Sequence, residues 1–281
     1  MGALDLGEGV AEVLAQPSRG RVVAVHRRAA YLRLGGRLIA CVAAGVPPGP
    51  LHLRCAVLPP VRPGEAVACD GYRLAGGRWA LRTDAPVWRG ARPDPGELAS
   101  GAASPAMATE LAAAARPVAD DPELPDVPEL PALLLHGRLE DVADAVGGRG
   151  PGLTPAGDDL LAGLLVVAAL RWGAGVRERL AAVAGRVDTT GIAAAFLAQA
   201  ARGRSFAPAH DWLVAVAAGR PDAAAAARNR IVAIGASSGR YLLAGLALGV
   251  RLPPAADGAA AQLPRVESQI ARAGSSSGLP H

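Results

Sequence analysis

Between Arg21 and Arg89 apolar residues recur at every second position in short runs, and two of the joints are Gly-Gly pairs. This alternation constrains the chain more than any other feature, because a period of two puts one face of each run into a core and leaves the other in water. VVAVH, AAYLRL, RLIACVA, LHLRCAVL, the stretch around AVACDGYRL, and RWALR read as six strands. In YLRL-GG-RLIA and YRLA-GG-RWAL, Gly35-Gly36 and Gly76-Gly77 supply the positive φ that two-residue hairpins demand. Six short strands at this spacing predict a small antiparallel sheet, closed or nearly closed like a barrel.

Beyond residue 131 the period lengthens to that of a helix. Helices are expected over 132–145, 155–172, 176–187, 190–201, 208–218, 222–234 and 238–248, with Gly, Pro, Ser or Thr at the breaks. The fold class is thus α+β: an N-terminal small antiparallel β-barrel-like domain (1–91), a Pro-rich linker or surface excursion (92–131) with one helix at 105–115, an all-helical domain (132–252), and a mobile tail (253–281). Aromatics are only 3% of the chain, so the core must be built from small aliphatic side chains, which suits closely packed helices.

The net charge of +4 comes from 29 basic residues, all arginine and all scattered. No basic run is interleaved with aromatics, which argues against a nucleic-acid partner. Cys41, Cys55 and Cys69 sit among alternating apolar residues without CxxC pairing, as buried thiols of a reducing compartment do. The first residues lack a basic run followed by an apolar core, and no stretch reaches about 18 uncharged apolar residues, so neither a secretion signal nor a membrane span is expected. The expectation is a cytoplasmic protein.

Gly157-Asp-Asp-Leu-Leu-Ala-Gly-Leu164 returns as Gly239-Arg-Tyr-Leu-Leu-Ala-Gly-Leu246, with six of eight positions matching. Two equivalent helices follow from this echo, each opened by a small-residue loop. Each also carries an internal glycine, Gly163 or Gly245, whose cost of about 1 kcal/mol relative to alanine requires a reason. Close approach of the two helices supplies one.

Gly147, Gly148, Gly150 and Gly152 precede Thr154, read as an N-cap, and Pro155, read as the first helical residue. Such a start offers amides and a dipole to an anion. The second copy adds Ser237, Ser238 and Arg240, which can grip a carboxylate or phosphate. Two parallel helix ends would then share one pocket, with Gly150, Gly152, Thr154, Thr190, Ser237, Ser238 and Arg240 binding a small anion. Asp158 and Asp159 are the candidate catalytic residues. One acid in a first turn is explained by the helix dipole, but two are not. Successive residues point about 100° apart, so at least one faces protein and needs amide donors, Arg240 or a cation such as Mg²⁺. Thr189 and Thr190 fit a helix cap and its neighbour better than site hydroxyls. His136 and His210 fit structural or surface positions.

GPGLTPAGDDLLAGLL resembles the signature G-x-G-x-G-L-T-P-[SA]-G-D-D-x-L of the AllH-type family, a subunit of oxamate carbamoyltransferase long catalogued as a bacterial domain of unknown function. The resemblance extends over Thr189-Thr190, FLAQAARGR and GASSGRYLLAGL. It implies a carbamoyltransferase subunit of allantoin and purine nitrogen breakdown, binding phosphate or carbamoyl phosphate and an oxamate-like acid beside companion subunits. The alternative is a non-catalytic anion-binding or assembly subunit. A hydrolase holding Mg²⁺ on Asp158 and Asp159 ranks last, for want of further acidic ligands at evident spacing. The chain departs from the family's second motif, G-H-[ST]-S-G followed by an acid, at Ala236 and Tyr241.

Overall fold

The computed structural model describes residues 2–116 and 130–254. The proposed linker is therefore described only in part, and the proposed tail, apart from residues 253–254, lies outside the described residues. β1 (Ala3–Gly7) leads into a short helix, α1 (Glu8–Leu14), and eight strands follow: β2 (Ser18–His26), β3 (Ala29–Leu34), β4 (Arg37–Ala43), β5 (His52–Cys55), β6 (Ala66–Cys69), β7 (Arg73–Ala75), β8 (Ala80–Arg82) and β9 (Val87–Trp88). They form one sheet in the order β8-β7-β6-β2-β3-β4-β5-β1-β9. The sheet curls into a half-barrel, and a bridge between Gly2 and Arg82 draws its two ends together.

All six runs read from the alternation are in this sheet, and the structure adds β1 and β9 and splits the AVACDGYRL run into β6 and β7. The sheet is not antiparallel throughout. β4 pairs with β5, and β1 with β9, in parallel. The residues between β4 and β5 carry the chain back across the sheet end, so no hairpin joins those strands. Gly35 and Gly36 have φ of 53° and 81° and close a two-residue turn between Leu34 and Arg37, as expected. Gly76 and Gly77 also join two paired strands, but through four residues from Ala75 to Ala80, and neither glycine has positive φ. Gly76 is needed for a different reason: the Trp79 indole lies against it and donates to Glu65 Oε1 at 2.8 Å, leaving no room for a Cβ. Val10, Val13 and Leu14 of α1 join Leu32, Ile39, Leu53 and Leu81 in the core that the sheet wraps. Cys41, Cys55 and Cys69 are buried and free.

After β9 the described elements are helices: α2 (Pro95–Ala103), α3 (Ala108–Ala115), α4 (Leu130–Leu135), α5 (Leu139–Val146), α6 (Ala156–Trp172), α7 (Arg177–Gly185), α8 (Gly191–Ala200), α9 (Ala207–Ala217), α10 (Pro221–Val232) and α11 (Ser238–Gly249). The helix expected over 132–145 is two, because Gly137 takes φ of 61° between α4 and α5. α2 occupies part of the stretch read as a linker. Asp94 caps it through the Gly96 and Glu97 amides, Pro95 fills its first turn, and Gly101 lets it lie directly on the Val216 carbonyl of α9. α6 is buried around nearly its whole circumference, at the centre of a second core with α11, α8 and α9. Among the described residues no helix is long and apolar enough to cross a membrane.

Candidate functional site

The two echoed helices lie side by side. At the crossing, a Cβ on Gly163 would stand 2.6 Å from the Leu246 amide, and a Cβ on Gly245 would stand 3.0 Å from the Gly163 Cα and closer still to the Leu160 carbonyl. Four residues further along, Gly249 rests on Val167, so α6 and α11 run in the same direction. Their amino ends therefore adjoin, and Thr154 Oγ1 and Ser238 Oγ are hydrogen-bonded at 2.8 Å. Each helix is also seated alike on the helix before it: Gly157 lies against the Val146 carbonyl ending α5, and Gly239 against the Ile231 carbonyl near the end of α10. Only glycine fits at these four contacts.

The loop into α6 turns on Gly148, Gly150 and Gly152, with φ of 69°, 110° and 95°, and the loop into α11 turns on Gly235, with φ of 65°. Gly150 packs so tightly on the Ala156 amide that a Cβ would stand 2.7 Å from it, whereas Gly152 faces open space. α6 begins one residue later than expected: Pro155 is its N-cap, and the Thr154 side chain turns instead to Ser238. Several first-turn amides are already used. Gly157 donates to the Arg149 carbonyl at 2.9 Å, Asp158 and Asp159 to Pro155, Gly239 to Ile234, and Arg240 to Ser237. Among the described residues the Ala156, Ser237 and Ser238 amides have no backbone acceptor, which makes the seat for an anion narrower than a bare helix end.

The two aspartates divide sharply. Asp158 is 2% exposed, and both its oxygens are engaged: Oδ1 accepts from the Gly148 amide at 2.7 Å and Oδ2 from the Thr189 hydroxyl. Burial raises its proton affinity, and those two bonds pull the other way. Asp159 is half-buried, and its Oδ2 is shut off from solvent without a hydrogen-bond partner. Burial pushes its pKa up to about 8, the Asp158 charge adds to the rise, and the neighbouring Ser238 and Thr154 hydroxyls oppose it. Neither acid forms an ion pair among the described residues.

Arg240 is exposed, with its guanidinium 5.9 Å from the Tyr241 ring centroid rather than on an aspartate. Thr190 caps α8 by accepting from the Ala193 amide at 3.1 Å, and its hydroxyl donates to the Leu153 carbonyl at 2.5 Å, so it ties the glycine loop to α8. Ser237 holds the N-cap position of α11 without a side-chain capping bond. Thr154, Ser238 and Asp159 are thus together, with Ser237 next in sequence, while Thr190 supports the loop from behind. Gly148 and Thr189 hold Asp158; neither role has a signature in the sequence, since the Thr189 contact spans 31 residues. Among the described residues no group of three His, Cys, Asp or Glu side chains could hold a metal ion. His210 is structural, its Nδ1 on the Ala91 carbonyl at 2.8 Å and its Nε2 accepting from the Ser205 amide.

Fold and site together define a mixed α/β protein with a repeated, glycine-led helix pair whose amino ends share one acid. Residues 146–250 match the family model described as "Oxamate carbamoyltransferase subunit AllH". The matched segment opens at Val146, on which Gly157 is seated, and closes at Val250 just after α11, so it spans both helix ends. No curated protein and no solved structure gives a significant match to the chain.

Proposed function

We propose that this protein is a carbamoyltransferase subunit of allantoin and purine nitrogen breakdown that binds small anions, phosphate or carbamoyl phosphate and an oxamate-like acid, between the amino ends of α6 and α11. It would act in the cytoplasm with companion subunits. The observation that carries this reading is the joining of the two ends through Thr154 and Ser238, with Asp159 beside them, inside the segment that matches the oxamate carbamoyltransferase subunit. Attack of phosphate on a carbamoyl carbon builds negative charge on oxygen, and the Ala156, Ser237 and Ser238 amides are fixed donors for it. Arg240 stands at the rim to draw the anion in, and Asp158 acts through the Gly148 loop that it holds in place. The sheet and the helices have separate cores, which supports two domains with the site in the second.

The first test is calorimetry with phosphate, oxamate and carbamoyl phosphate on the full chain. Binding is expected, weakened about tenfold in Arg240→Ala, in keeping with the strength of a hydrogen bond to a charged partner. A chain that binds none of the three is not such a subunit. A second reading, a non-catalytic anion-binding or assembly subunit, draws on Asp158: both of its oxygens are spent inside the fold. Turnover of the complex reconstituted with Asp159→Asn separates the two. Lost turnover with intact assembly supports catalysis, and unchanged turnover supports the second reading.

A further inference from the structure

Two carboxylates beside a seat for anions pose an electrostatic conflict, and the side chains around them resolve it for only one. The Asp158 charge is held by an amide and a hydroxyl. Asp159 Oδ2 is enclosed without a hydrogen-bond partner, and among the described residues Asp159 forms no ion pair. Arg149 in the glycine loop and Arg240 on α11 are exposed, and neither is in an ion pair among the described residues. Asp188, ahead of α8, is exposed and meets the glycine loop through its backbone carbonyl at Gly148. α8 itself carries no charged side chain. Arg33 of β3 reaches the start of α8 at Gly191 and donates to the Gly36 carbonyl. Glu140 of α5 pairs with Arg179 of α7, Asp144 with Arg186 just past α7, and Asp141 with Arg138, while Glu97 on α2 is exposed.

Resting on the anion-pocket reading above, we infer that Asp159 is a neutral acid when the anion binds: with its enclosed Oδ2 protonated, no uncompensated carboxylate charge stands beside the seat, so anion binding and protonation of this one side chain are coupled. A neutral carboxyl removes the repulsion that an enclosed, unpaired carboxylate oxygen would present to an anion beside Thr154 and Ser238. The raised proton affinity of Asp159 supports the same assignment. Linkage then fixes the sign. The anion prefers the protonated form, so affinity is high at pH 6 to 7 and falls as pH rises through about 8, approaching a tenfold loss per pH unit.

The test is calorimetric titration of oxamate into the full chain from about pH 6 to about pH 9.5, a range in which the probe's own carboxylate does not titrate. Buffers of different ionisation enthalpy report the protons taken up. The wild-type protein is expected to lose affinity above about pH 8 and to take up a proton on binding there. Asp159→Asn, a neutral side chain of nearly the same shape, is expected to bind with an affinity that does not change over the range. Oxamate binding that is equally tight at every pH in the wild type overturns the inference and leaves the anion pocket standing. Absence of oxamate binding at every pH in a folded chain overturns the pocket itself, and the inference with it.

Discussion

Asp158 and Asp159 differ by one position and by nearly everything physical. Replacing Asp158 with alanine strips the Gly148 amide and the Thr189 hydroxyl of their acceptors, and buried donors left unpaired cost about 1–3 kcal/mol each. Chemical denaturation of Asp158→Ala should show a loss of about 2–6 kcal/mol for the two donors together, and a change under about 0.5 kcal/mol would mean that the loop closes without the carboxylate. Asp159 has the opposite sign. Its folded pKa is raised, so the unfolded chain ionises first, and stability falls as pH climbs from about 4 to about 8. Asp159→Asn should therefore gain at least about 1.4 kcal/mol over the wild type at pH 7, the worth of one pKa unit, and the gain should vanish near pH 4. The sequence shows that one of two adjacent acids must face protein. It does not show which, because that depends on a cap at Pro155 rather than Thr154 and on a threonine 31 residues away.

At the scale of elements, the legible feature was the echo. Two internal glycines at matching positions announce a close crossing of α6 and α11, and the crossing is there. Gly163→Ala should cost about 1–3 kcal/mol by overpacking against the Leu246 amide and Leu242 carbonyl, exceeding the roughly 1 kcal/mol that alanine gains in helix propensity. Gly185, the last residue of α7, has open space where its Cβ would stand, so Gly185→Ala should stabilise by a few tenths to about 1 kcal/mol. Thermal melts of the two variants should move in opposite directions; movement in the same direction would put the reason for Gly163 elsewhere. The Gly76-Gly77 joint was legible as a turn but not as a four-residue one, since what excludes a Cβ there is the Trp79 ring folding back. α2 was concealed in a proline-rich stretch, although Asp94 and Pro95 mark its start in the usual way.

For the whole molecule, the change of period divides sheet from helices in the sequence, but nothing local shows how the two parts meet. The parallel pairs β4–β5 and β1–β9 are long-range contacts, and the same N-terminal stretch that forms β1 continues into α1, which carries the junction. Glu12 of α1 accepts from Arg37 of β4 at 2.9 Å and from Arg202 and Arg204, just past α8, at 2.9 and 2.7 Å. Burial raises the Glu12 pKa, but the hydrogen bonds from Arg204 and Arg37 outweigh it and hold the carboxyl below its ordinary value. With a depressed folded pKa, the stabilisation is present above the unfolded pKa of about 4.3 and is lost as pH falls through the folded one. Because Glu12 keeps about a third of its side-chain surface in water, solvent screening limits the effect to about 1 kcal/mol. Glu12→Gln should therefore be less stable than the wild type by about that much at pH 7, with the gap shrinking in high salt and closing below about pH 4. Denaturant titrations at the two pH values, each with and without salt, check this. A gap that persists in acid would assign the junction to packing between α1 and the sheet rather than to the arginine cluster.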